Sequence, residues 1–344
     1  MLKIAIVTPP QAGQRWTFMK QCGVEYAVGG ISLKPVPDAA PDEQPWSYAS
    51  LAKAKRAYEA GGIPLAVIES RPPMEKIKLG LPGRDEEIAV VCELLRNMGK
   101  LEIPVWCYAW MPIFGVIRTS QSTLTRGEAL VSGFDLEVLE TQGDSDERPI
   151  RNIDGVLLDE QTPKLASVTE AQQWDCLKYF LERVVPVAEE TNVKLAMHPD
   201  DPPLSPIQGV ARIMSNVDNY QKLIDLVPSP MNGICLCQGN FTLMTDDLPA
   251  VIRHFGEQKK IHFLHIRDVR GKPEKFHEVF HDDGHTDLVE CLRAYRDVGF
   301  KGVCRPDHYP KMGDKNYNDE PGIARLFAVG YLKGIREAVY TEHK

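Results

Sequence analysis

A chain of 344 residues is long enough for one elaborated domain or two ordinary ones, and a hydrophobic content of 43% supplies a large core. Forty basic residues against 48 acidic ones leave a formal net charge of −8, which speaks against the clustered basic footprint of a nucleic-acid-binding surface. No apolar run approaches the roughly 18 residues needed to span a bilayer, and the eight cysteines are scattered, so the expectation is a cytoplasmic protein with reduced thiols and no membrane contact.

KIAIVTP (3–9) has no long basic segment before it and reads as a first strand, not a signal peptide. GVEYAVGG (23–30) reads as the second. PWSYASLAKAKRAYEAGG (45–62) has helical period and ends in glycines, a common helix stop. IPLAVIES (63–70) is the third strand. RDEEIAVVCELLRNMGK (84–100) is a helix that opens on acids and closes on Arg96 and Lys100, as the helix dipole favours. IPVWCYAWMP (103–112) is the fourth strand.

The stretch 113–166 is too long for a simple loop and holds turn residues and two short alternating runs, so it reads as an insertion after strand 4, a hairpin or lid over the strand ends. SVTEAQQWDCLKYFLERVVPVAEETN (167–192) is a long amphipathic helix that Pro186 should kink or end. Four more strands follow: NVKLAMH (192–198), NGICLCQG (232–239), IHFLHIRDV (261–269) and FKGVCRPDH (300–308). Helical patterns at 284–300 and 322–340 complete the set.

Eight strands alternating with helices predict an α/β fold, a (β/α)8 TIM barrel forming one domain over 1–344. An open doubly wound sheet is the competitor, but no strand is followed by the glycine-rich phosphate motif of its nucleotide-binding version.

Barrel enzymes carry their chemistry at the carboxyl ends of the strands. Those ends here bring His198, Cys237, His265 and the run Arg305-Pro306-Asp307-His308. In GICLCQG, Ile234 and Leu236 share one face and Cys235 and Cys237 the other. If the aliphatic pair meets the helices, both thiols face the barrel axis. His265 and Arg267 point one way along their strand, and His262 points the other.

Two imidazoles, a thiolate and the Asp307 carboxylate at one mouth make a divalent-metal site. Thiolate favours softer metals and carboxylate keeps Mn2+ and Fe2+ in play. Zinc also tolerates the set, although four protein ligands close a zinc site. A single strand-end His or Cys is usually an ordinary buried residue; four ligand-type residues arriving from four strands outweigh that reading.

Around this set, Pro199, Pro202 and Pro203 stiffen the exit of the fifth strand. Asp200 and Asp201 there read either as braces for the His198 ring or as plain turn residues. In HDDGHTDL (281–288), Thr286 or Asp287 caps a helix, and His281 is in reach of the site or of a substrate hydroxyl. His254, His277 and His343 read as ordinary residues, and no G-x-S-x-G supports a serine hydrolase.

The segments HPDDPP, CQG after an apolar strand, HFLHIRDV, FHEVFHDDGHTD and RPDH occur in an order that resembles the D-mannonate dehydratase family. Upstream, IESRPPMEKIKLGLPGRDEEI and CYAWMPIFGVIRT are similar to that family's ESVPVHEDIKLG…RD and CYNFMPVFDWTRT. The resemblance spans roughly residues 45–340. It implies a xylose-isomerase-like barrel, a hydro-lyase of carbohydrate metabolism that converts D-mannonate to 2-keto-3-deoxy-D-gluconate, and a Mn2+ or Fe2+ ion. The implied metal ligands are His198, Cys237, His265 and Asp307, and the implied catalytic residues are Arg305, Asp307, His308 and Tyr331.

The expected partner is a small sugar acid, and a homo-oligomer is left open. Arg305 is a candidate clamp for the substrate carboxylate, with His308 and Tyr331 as general acid and base. The chain departs from the family where Gly115, Val116 and Ile117 replace Asp-Trp-Thr, and where Tyr309 replaces the glycine after RPDH. QRWTF (14–18) is an inexact match to the family's amino-terminal Phe-Arg-Trp segment. Two alternatives stay open: a metal-dependent sugar isomerase or epimerase on the same barrel, and a non-catalytic sugar-acid-binding protein.

Overall fold

The structure is a computed structural model, and it describes residues 1–141, 168–312 and 321–342. In chain order the elements are β1 (Lys3–Thr8), α1 (Gln14–Gln21), β2 (Tyr26–Gly29), α2 (Tyr48–Ala60), β3 (Leu65–Ile68), α3 (Glu75–Leu79), α4 (Arg84–Lys100) and β4 (Val105–Ala109). The next are β5 (Ser120–Leu124), β6 (Leu130–Asp135), α5 (Leu136–Thr141), α6 (Glu170–Thr191), β7 (Lys194–His198), α7 (Val217–Leu226), β8 (Asn232–Cys237) and α8 (Gln238–Met244). The last are α9 (Leu248–Glu257), β9 (Ile261–Ile266), β10 (Val269–Lys272), β11 (Lys275–Glu278), α10 (Leu288–Asp297), β12 (Val303–Pro306) and α11 (Pro321–Thr341).

The eight strands expected from the sequence close into a barrel in the order β1-β12-β9-β8-β7-β4-β3-β2. Every neighbouring pair is parallel. Alternation sorts the side chains. Leu195, Met197, Ile234, Leu236, Leu264 and Ile266 join the layer between strands and helices. Ala5, Ala66, Cys107, Ala196, Cys235 and Phe263 fill the axis. The thiols of β8 therefore face inward, as its aliphatic pair implied. Small residues dominate the axis because eight inward side chains must share a narrow cylinder.

The helices bury one stripe each. In α4 that stripe is Ile88, Val91, Leu95 and Met98, at helical spacing. Pro186 does not end its helix: α6 runs unbroken from 170 to 191, with Val184, Val185, Val187 and Ala188 buried on both sides of it. Packing there outweighs the one backbone hydrogen bond that proline removes. Short α9 is set by Asp247, whose side chain accepts from the Ala250 amide at 3.0 Å, and by Pro249 in the first turn.

A second sheet, antiparallel, lies in the order β10-β11-β6-β5. It joins the hairpin of the 113–166 segment to the excursion after β9, with Phe276 opposite Phe134. Residues 142–166 of that expected insertion lie outside the described residues. Among the described residues, no helix is long and apolar enough to cross a membrane.

Candidate active site

Four adjacent barrel strands, β7, β8, β9 and β12, deliver the candidate donors. Register sets them side by side: Cys237 and Arg305 are both Cα partners of His265. His198 Nε2 lies 3.2 Å from His265 Nδ1. One donor atom from each of His198, Cys237 and His265 falls within 4.8 Å of the others. The Asp307 carboxylate stands beside this trio, with Oδ2 3.5 Å from His265 Nδ1.

The tautomer of His198 follows from its surroundings. Its Nδ1 donates to the Pro199 carbonyl at 2.8 Å, and a carbonyl can only accept, so Nε2 presents a lone pair to the trio. Burial pushes the His198 pKa down, against the pull of Glu69, Asp201 and Asp307, which favours the neutral ring a metal requires. Cys237 Sγ accepts from Arg267 Nε at 3.2 Å and from Asn240 Nδ2 at 3.6 Å. Gly239 makes that approach possible: a Cβ there would sit 2.7 Å from Arg267 Nε. A donor set of two imidazoles, a sulfur and a neighbouring carboxylate, converging at a barrel mouth, fits a first-row divalent ion.

The fork of Arg305 is already engaged by carboxylates of the protein. Its Nε and Nη2 donate to Glu69 at 2.8 and 2.7 Å, and Nη1 donates to Asp307 Oδ1 at 2.5 Å. Burial alone pushes the Glu69 carboxyl up, but Arg305 and then His265 outweigh it and hold it well below the usual carboxylate range. Asp307 behaves alike: Arg305, His308 and His265 overcome its burial. Glu69 also stands 3.2 Å from His265 Nε2, a buried nitrogen that completes no hydrogen bond.

A buried ionic quartet surrounds the trio on the other side. Arg118 grips Asp201 with both terminal nitrogens at 2.6 and 2.9 Å and reaches Glu278 at 2.8 Å. Arg267 donates to Asp201 at 2.8 Å and also to Glu278. Two guanidinium groups and two carboxylates balance, so four charges stay buried without an unpaired one. The quartet ties the second sheet to the exits of β7 and β9.

The braces expected for His198 are thus engaged elsewhere. Asp201 serves the arginines. Asp200 accepts from the Met214 amide at 2.7 Å, and burial, partly offset by Arg212, raises its pKa to about 6. Chain stiffness and the Pro199 carbonyl hold the His198 ring instead. His281 is buried against the Ile266 carbonyl, with Nε2 2.9 Å from that oxygen. Asp287 caps α10 by accepting from the Glu290 amide at 2.9 Å. Thr286 is tied to Asp268.

A cavity of about 240 Å3 opens on His198 and His265, lined by Glu69, Arg71, Arg305, Asp307 and His308 as well as by Cys107, Met111 and Val116. His308 holds its backbone at φ +48°, a left-handed conformation that non-glycine residues adopt mainly where surrounding structure imposes it. Its imidazole stands 3.5 Å from both Glu278 and Asp307. Tyr309, in the family's glycine position, ties the turn by donating to the Pro306 carbonyl at 2.7 Å. Tyr331 lies outside the cavity lining; its ring stacks on Phe327 at 6.3 Å. Sequence reasoning missed Glu69, Arg118 and Glu278, whose meaning depends on partners far away in the chain.

Fold and site define a (β/α)8 barrel whose mouth gathers side chains that could hold a metal ion. The model of the family "D-mannonate dehydratase (UxuA)" matches residues 15–344. The mannonate dehydratase of Thermotoga neapolitana is 36% identical over 335 residues, which cover 92% of this chain and 91% of that protein. The crystal structure of mannonate dehydratase from Streptococcus suis serotype 2 matches with a TM-score of 0.83 and 27% identity, covering 98% of this chain and 95% of that one. A D-psicose 3-epimerase from Clostridium cellulolyticum H10 shares the fold alone, with a TM-score of 0.58 and 16% identity over 98% of this chain and 99% of that one. The chain belongs to the D-mannonate dehydratase family and is a carbon–oxygen lyase.

Proposed function

We propose that the chain removes water from D-mannonate to give 2-keto-3-deoxy-D-gluconate, with His198, Cys237, His265 and Asp307 as ligands of a Mn2+ or Fe2+ ion. The convergence of three donors within 4.8 Å, with a carboxylate 3.5 Å from one of them, carries this reading. When bound, such an ion supplies a Lewis acid that steadies negative charge on substrate oxygens. A thiolate and a carboxylate cancel its two charges, so the substrate carboxylate needs a further cation. Arg71, on the cavity wall, fills that role.

Dehydration takes a proton from the carbon beside the carboxylate and expels hydroxide, as water, from the next carbon. The enol that remains tautomerises to the 2-keto acid. His308 exchanges the proton, being the imidazole of the cavity lining that lies outside the donor trio. Arg305 acts as a positioning residue that fixes Asp307 and Glu69. Tyr331 has no assigned step in this scheme.

Incubation of D-mannonate with Mn2+- or Fe2+-loaded protein is expected to yield a 2-keto-3-deoxy acid. An isomeric hexonate would support the isomerase alternative, and binding without turnover would support a non-catalytic protein. Cys237→Ser is expected to lower metal content far more than thermal stability; unchanged metal content would remove Cys237 from the ligand set.

A further inference from the structure

Below the donor trio, the barrel axis holds a pair of thiols. Cys107 on β4 and Cys235 on β8 face inward among Ala5, Ala66 and Ala196, and both are buried. Their sulfurs and one nitrogen of His265 lie within 4.8 Å of one another. Cys107 and His265 also line the cavity, so an ion entering the mouth has a path to this pair.

The two donor groups differ in softness. The outer one mixes nitrogen, sulfur and a nearby carboxylate oxygen; the inner one has two sulfurs and an imidazole and no oxygen. Softer metals prefer thiolate, and harder Mn2+ prefers carboxylate and water. We propose that Cys107, Cys235 and His265 form a second, inner site for a soft divalent cation, Zn2+ or Cd2+, and that its occupation excludes an ion from the outer site because His265 serves both.

Charge supports the placement. The layer around the pair is apolar, lined by Ala5, Ala66 and Ala196, so a lone thiolate there would have nothing to solvate it. A divalent ion changes that balance: each thiol releases its proton to solvent, and two thiolates cancel the two positive charges. Three protein ligands leave a fourth position for water from the cavity. Soft ions then inhibit the lyase instead of supporting it. The inner site stands without the outer assignment; only the exclusion rests on the proposed function.

Cd2+ titrated into metal-free Cys237→Ser protein tests the site directly, because the outer group then has no sulfur. A sulfur-to-Cd2+ ultraviolet band saturating at one ion per chain is expected, and it should vanish in the Cys237→Ser/Cys235→Ala protein. No band in the single variant, or a persistent one in the double variant, overturns the proposal. Should Cys237→Ser fail to fold, Zn2+ inhibition of Mn2+-supported turnover gives a second measurement, scaled to each protein's own rate. Cys235→Ala is expected to raise the half-inhibiting Zn2+ concentration by at least about tenfold, and equal sensitivity overturns the inner site. A Cd2+ band in a protein that Mn2+ never activates would instead count against the outer assignment alone.

Discussion

His262 and His265 sit three residues apart on β9, and both are buried. Their surroundings share little else. His262 lies on the outer face of the strand, crosses over Gly233, where a Cβ would stand 2.4 Å from its ring, and donates from Nδ1 to the Leu195 carbonyl at 2.7 Å. Burial pushes its pKa down to about 4, with Lys194 and Lys260 adding to the effect. His265 lies on the inner face and meets His198, Glu69 and Asp307 within 3.5 Å. Residue type and burial do not separate a structural histidine from a chemical one. The face of the strand and the charge of the neighbours do.

The largest contrast is expected on substitution of the two rings. His265→Ala should lose the bound metal and lower turnover by at least about a hundredfold. His262→Gln, whose amide N–H can still donate to Leu195, should keep full metal content. Equal metal loss in both, measured by elemental analysis, would erase the distinction between the faces.

Next in size is the quartet that walls the inner-face site. Asp201→Ala strands Arg118 and Arg267 beside a single carboxylate and should destabilise the fold by about 3–5 kcal/mol, read from chemical denaturation. A loss below about 1 kcal/mol, the worth of an exposed pair, would show that the pairs are not buried in solution.

The smallest effect belongs to His262. Its folded pKa of about 4 lies below the ordinary 6.5, so between these values the unfolded chain binds a proton that the native ring refuses. Its contribution is complete above pH 6.5 and is lost as pH falls toward 4, by about 3 kcal/mol. His281, also shifted to about 4, and His198, His277 and His308, also pushed down by burial, add to the slope, so His262→Gln should remove only part of the acid destabilisation. An unchanged slope would mean that His262 is not held neutral by burial.

The legible part of the molecule follows one rule. Strand alternation, combined with the placement of barrel chemistry at carboxyl ends, marks His198, Cys237 and His265 from local pattern alone. Glu69 escapes because "ES" at a strand exit looks like any turn, and its partner Arg305 lies 236 positions away. Local sequence likewise marks Arg305 as a substrate clamp, whereas Glu69 already fills its fork. SQSTL and KFHE are polar and lack apolar alternation, so β5 and β11 exist through the pairing of the second sheet and not through their own periodicity. The helices α7 and α9 have readable caps at Asn216 and Asp247, and each buries one apolar stripe, so both are within reach of local pattern.

The second sheet also orders events on the ribosome. β6 pairs with β11, which is translated only after three more barrel strands, β7, β8 and β9, have been made. Until β11 emerges, β6 has one unpaired edge and Arg118 lacks Glu278. The roof over the mouth is therefore among the last parts to set, and a nascent chain cut short before β11 would own most of a barrel yet no finished place for its reaction.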